Sequence, residues 1–244
     1  MNYSFTGVAY LILFLALGFL TYRFFQYWKR EKDPVSKLLL FFAALFALFS
    51  FIHTIGGLFF ANNQAFLIGA INAGSFIQAL AFSVIAYFII YIKLPQISPW
   101  WGSLPVLILG LVAAILTVAA PACPFLEESR AINWGFPFGV QSILRFFLFF
   151  AIFIPGVIIF LQQFKTSKDP YAKRKSLGIA LSLIFALMVG LLDFLLINLL
   201  KLDPIWRDMT SIAIGIILLI TLLLTLPRPL SKSSYYYVKT SNKS

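Results

Sequence analysis

LLLFFAALFALFSFIHTIGGLFF, residues 38–60, decides the fold. The run has no Asp, Glu, Lys or Arg, and it is longer than the ~20 residues that cross ~30 Å of hydrocarbon as a helix. Its apolar residues are continuous rather than alternating, so it does not read as a barrel strand. A backbone in lipid must satisfy its hydrogen bonds within its own segment, which leaves the helix.

Six further runs of this kind lie at 5–28, 65–92, 104–120, 137–162, 177–200 and 208–226. Between them stand WKREKDPVSK (28–37), ANNQ (61–64), KLPQISPWWGS (93–103), PACPFLEESRAINWG (121–135), KTSKDPYAKRKS (165–176) and KLDPIWRD (201–208). Each break carries Pro, Asn or clustered charge. The fold class is therefore all-α: a polytopic membrane helix bundle of about seven transmembrane helices. Residues 1–228 form the seven-helix domain and 229–244 a basic polar tail. Composition agrees, with 61% hydrophobic and 11% charged residues against about 25% charged in soluble domains.

Charge orients the bundle. The first, third and fifth connections with the C-terminal tail hold Arg23, Lys29, Arg30, Lys32, Lys37, Lys93, Lys165, Lys168, Lys173, Arg174, Lys175, Arg228, Lys232, Lys239 and Lys243. The opposite side holds Arg130, Lys201 and Arg207. Short cytoplasmic loops retain Lys and Arg, so fifteen basic residues against three predict an outside N-terminus and a cytoplasmic C-terminus. The net charge of +11 then reflects topology, and nucleic acid is not an expected partner. All five tryptophans fall at span ends or in connections, where such rings favour the interface. No Lys or Arg precedes Arg23, so the first run reads as a retained helix rather than a signal peptide. Lys32-Asp33-Pro34 and Lys168-Asp169-Pro170 echo each other, which reads as ordinary loop composition in preference to a duplicated unit.

Polar groups inside the spans are the functional pointers, because each needs a partner, a cavity or the interface. The candidates are His53, with Ser50, Thr54 and Gly57 on one face; Asn72, Ser75 and Gln78; Gln141, Ser142 and Arg145; and Asp193 with Ser182. Counting at ~1.5 Å per residue places His53, Asn72, Arg145 and Asp193 in a layer about 10 to 12 Å below the outer ends. Arg145 and Asp193 are expected to pair, since mutual neutralisation costs less than burying either alone. With Gln78 and Gln141, they and the His53 and Asn72 side chains are the expected lining of an outward-facing cavity. Interhelical packing without a ligand is the competing expectation.

Several chemistries are excluded. The last span has no Lys for a retinal Schiff base, and the lone His53 cannot supply bis-histidine haem or a multi-histidine zinc site. Cys123 has no second thiol, and no Gly-x-Ser-x-Gly accompanies a base. Neither enzyme activity nor a cofactor or metal is expected.

The seven-span layout, the Pro-containing basic loop after the first helix, and the basic stretch Tyr171-Ala172-Lys173-Arg174-Lys175-Ser176-Leu177-Gly178 entering the sixth resemble the N-terminal sensor region of prokaryotic membrane histidine kinases. That resemblance covers residues 1–228 and implies perception of a signal in or outside a prokaryotic cytoplasmic membrane. After Pro227-Arg228-Pro229 only LSKSSYYYVKTSNKS follows, so signalling is expected to pass through a membrane or cytoplasmic protein partner. The leading expectation is a receptor-like protein binding a small or lipid-like ligand. A small solute transporter with a three-plus-one-plus-three helix layout, and Pro155-Gly156 as a helix break, is the alternative, and a structural subunit of a membrane assembly is the third.

Overall fold

The computed structural model describes residues 3–135, 139–193, 200 and 202–225. They form seven long helices: α1 (Phe5–Glu31), α2 (Pro34–Phe59), α3 (Gln64–Lys93), α4 (Trp100–Ala119), α5 (Val140–Thr166), α6 (Pro170–Asp193) and α7 (Pro204–Thr225). A two-stranded antiparallel hairpin, β1 (Phe125–Leu126) with β2 (Ile132–Asn133), stands between α4 and α5. All seven helices are long and apolar enough to cross a membrane. The chain is an all-α integral membrane bundle, and its apolar outer face contacts lipid.

Five of the seven helices, all but α4 and α5, start where short polar side chains can accept from free backbone N–H groups. Ser4 caps α1, Asp33 caps α2 and Asn63 caps α3. Asp169 accepts from the Tyr171 and Ala172 amides, and Asp203 from that of Ile205. Three helices thus open on Asp-Pro, with Pro in the first turn where no N–H is needed. This explains the Lys-Asp-Pro echo as a shared helix-start device. Most helices also run past the expected limits, because basic and Trp residues continue them into the interface. α6 starts at Pro170 and α7 at Pro204.

Each helix packs against the next in chain order, α7 closes the ring on α1, and α3 also reaches α5. One end of the bundle carries the hairpin and the α2–α3 and α6–α7 connections; the other carries the basic connections. At the basic end cations lie over rings: Lys32 over Trp28, Lys37 over Phe41, Lys173 over Phe164 and Lys175 over Tyr27, at 4.4–5.9 Å.

The main core occupies the basic half, around Phe24, Tyr27, Leu39, Phe42, Phe82, Phe88, Phe153 and Phe160. A separate, smaller cluster of Ala61, Leu67, Ile71, Ala122, Ile132 and Trp134 sits at the hairpin end. Lipid tails are as apolar as Leu, so close backbone approach and interhelical hydrogen bonds hold such a bundle together. The backbones of α1 and α2 come close at Gly7 and Gly57, where Ser4 Oγ donates to the Gly57 carbonyl at 2.8 Å. α5 runs unbroken through Pro155-Gly156, with Gly156 facing Leu183 of α6.

Candidate functional site

The hairpin half of the bundle holds three polar or aromatic groupings. The first surrounds His53, on the buried face of α2. Its Nδ1 lies 2.9 Å from the Phe49 carbonyl; a carbonyl only accepts, so Nδ1 carries the proton. The ring packs against Tyr10, Phe49 and Trp134 at centroid distances of 4.8, 4.3 and 5.2 Å. On α3 it meets Gly74, where a Cβ would stand 2.6 Å from the His53 Cε1. Trp134 lies in the connection between α4 and α5, at the bundle end, with its ring buried.

Gln78 lies one helical turn beyond Gly74 on the same strip of α3, between the buried residues Gly74 and Phe82. The residue is half-buried, and its amide, which keeps some exposure, has no hydrogen-bond partner among the described residues. Rings continue past it: Phe49, Phe46, Phe82, Phe149 and Phe153 are linked by centroid distances of 4.4–6.3 Å. His53, Gln78 and these rings make one inward-facing column.

The second grouping is built on Arg145. Its Nη2 donates to Ser75 Oγ of α3 at 2.5 Å and to Thr117 Oγ1 of α4, tying α3, α4 and α5 together. Ser75 follows Gly74, so His53 and Arg145 contact successive residues of α3 from different sides. Gln141, one turn before Arg145, is buried with its amide folded against Gly139. Asp193 is the last described residue of α6, and its side chain lies outside the described residues, as does the tail at 229–244. The expected Arg145–Asp193 pair therefore falls outside them.

Asn72 is placed differently from the expectation. It stands two residues before Gly74, about 200° around the helix, beside the exposed Gly69, Ala73 and Phe76. It shares the depth of His53 but not its surroundings. Among the described residues its amide also has no hydrogen-bond partner.

The third grouping was not anticipated. Arg207 and Asp208, read as part of a connection, lie in the first turns of α7 and are buried. Arg207 Nη2 and Nε donate to Asp208 Oδ1 at 2.7 and 2.9 Å. Thr6 Oγ1 donates to Asp208 Oδ2 at 2.5 Å and accepts from the Ile132 amide at 2.7 Å, while Arg207 Nη2 donates to the Ile132 carbonyl at 3.0 Å. α1, α7 and the hairpin meet in this network. The readable signal was Asp203-Pro204, a helix start that makes Arg207 and Asp208 helical.

The hairpin turn keeps Glu127 bonded to Asn133 at 3.0 Å and leaves Glu128 exposed. Two surface grooves lie elsewhere. One of about 300 Å³ runs between Asn62, Gln64 and Phe125, and an apolar one of about 230 Å³ lies along Trp100, Leu104 and Ile108. Compared with known proteins, the chain matches no family model, and no curated protein matches it.

Proposed function

We propose that the protein is a receptor-like membrane protein whose hairpin half binds a small, uncharged, lipophilic ligand in the column between α2, α3 and α5. The observation that carries this reading is Gln78: an amide on an inward strip, in the hydrocarbon zone, without a hydrogen-bond partner among the described residues. An unmet polar group there is costly, and intramembrane polar groups mark ligand and ion paths by default. The surrounding Phe rings suit a flat apolar body, and Gln78 would meet a single carbonyl or hydroxyl. Arg145 is already engaged by Ser75 and Thr117, which favours a neutral ligand over an anion.

In this reading the hairpin end faces outward, the basic end lies in the cytoplasm of a prokaryotic cell, and a change in the bundle reaches a partner through the basic ends of α6 and α7. The resemblance to histidine kinase sensor regions and the bias of basic residues support it. An epitope after Ser244 should be reached by antibody only after permeabilisation; detection on intact cells would reverse the orientation. The continuity of α5 through Pro155-Gly156 gives no support to a helix break there, which favours the receptor reading over transport.

The ligand reading is tested by extracting the purified protein and its Gln78→Leu variant and comparing bound small molecules by mass spectrometry. A lipophilic compound retained by the wild type and lost from the variant is expected. The variant should also melt at higher temperature, since it removes an unmet amide. Identical extracts from both proteins would sink the proposal.

A further inference from the structure

We infer that residues 122–135 form a lid over the Gln78 column and that Thr6, Arg207 and Asp208 are its latch; the inference rests on the ligand reading above and adds its regulation. The contacts run inward as a chain. Trp134 of this segment seats on His53, His53 seats on Gly74, and Gln78 follows one turn deeper. On the ligand reading above, a ligand that enters from this end displaces the segment.

The hairpin is held as a separable piece. Ile132, fully buried, has both backbone polar groups taken by side chains of other elements: its amide by Thr6 and its carbonyl by Arg207. The Thr6 hydroxyl accepts from the lid and donates to Asp208, so one side chain couples lid position to the Arg207–Asp208 pair. Two more bonds hold the turn: the Phe5 amide to the Arg130 carbonyl at 2.9 Å, and Ser129 Oγ to Asp203 at 2.9 Å.

The apolar seat of Ile132 and Trp134 is the small cluster, distinct from the main core, so its loss leaves the basic half packed. Segments with few buried contacts and replaceable side-chain bonds open below the global unfolding free energy. At the base Gly135 has φ +58°, and a Cβ there would stand 2.3 Å from the Cys123 carbonyl oxygen. Only glycine fits this pivot without strain.

Ile132→Cys in a Cys123→Ser background, reconstituted in nanodiscs, reports opening through its reaction rate with a bulky hydrophilic maleimide. Adding Thr6→Val or Asp208→Asn should raise that rate about tenfold or more, as loss of a hydrogen bond to a charged group would. Phe24→Cys in the main core should react no faster in either background. Unchanged rates in folded latch variants would overturn the lid, as would equal acceleration at Phe24→Cys. Hydrogen exchange on the unsubstituted protein is the second readout. Exchange of 122–135 as a unit ahead of α1 and α7 is expected, and exchange in step with them would also overturn it. Neither measurement uses a ligand, so lid opening combined with identical extracts from wild type and Gln78→Leu rejects the ligand reading alone.

Discussion

Gly57→Ala should be among the most damaging single-methyl additions to this bundle. A Cβ at Gly57 would stand 2.4 Å from the Gly7 Cα and 2.6 Å from its nitrogen. Carbon–carbon contact is comfortable near 3.7 Å, so α1 and α2 must separate by about 1.3 Å at this crossing. The obstacle is backbone, which no rotamer change can relieve. That separation also stretches the 2.8 Å bond from Ser4 Oγ to the Gly57 carbonyl beyond bonding range. Overpacking against backbone costs about 3 kcal/mol and the lost bond about 1, while better helix propensity returns about 1. The net is about 3 kcal/mol of destabilisation.

Gly69→Ala is the internal control: nothing lies within 4 Å of its built Cβ, so it should be neutral or stabilising by up to about 1 kcal/mol. Reversible unfolding in mixed micelles with increasing SDS fraction measures both. A Gly57→Ala variant no less stable than Gly69→Ala would refute the reasoning, since it would mean the helices do not touch there.

Ser75→Ala and Thr117→Ala should each cost about 1.5–3 kcal/mol, as bonds to a charged donor do, and a double-mutant cycle should show coupling because both serve Arg145. Strict additivity in the same unfolding assay would argue against the shared guanidinium. Gly74→Ala should destabilise by about 1–3 kcal/mol but become nearly neutral in a His53→Ala background, where the opposing ring is gone; equal cost in both backgrounds would refute that contact. Asp208→Ala should cost about 3–5 kcal/mol by stranding Arg207, with the Arg207→Met/Asp208→Leu double recovering most of it. A double variant as unstable as the single would show that the network contributes more than mutual neutralisation.

The membrane class, the number of spans and their order were legible because composition over whole windows decides them. The helix starts at Asp-Pro were present in the sequence but not used: Asp33-Pro34, Asp169-Pro170 and Asp203-Pro204 all fell in connections, although each opens a helix. Arg207 and Asp208 were misplaced for the same reason: charge was read as connection, yet a buried reciprocal pair is stable in a first turn. Depth could be counted, and it put His53, Asn72 and Arg145 near one level. Azimuth could not. A helix that is apolar all round gives no phase for its inward face, so Asn72 was assigned to the His53 side although it stands on another. Thr117 passed unnoticed because a lone Thr bonding the Ala113 carbonyl one turn back is ordinary helix chemistry until an Arg from another helix arrives.

An odd-membered closed ring has a further consequence. Alternating neighbours run antiparallel and their peptide dipoles largely cancel, but around the rim seven members leave one parallel seam, α1 beside α7, besides the parallel contact of α3 with α5 across the ring. Thr6 meets Asp208 and Ile12 meets Gly215, so the two N-terminal poles lie side by side. Two half-positive poles in a low-dielectric setting attract an acid, and Asp208 occupies that place. A six- or eight-helix ring of the same sequence style would have no such seam, and a carboxylate at that depth would lose the field that holds it.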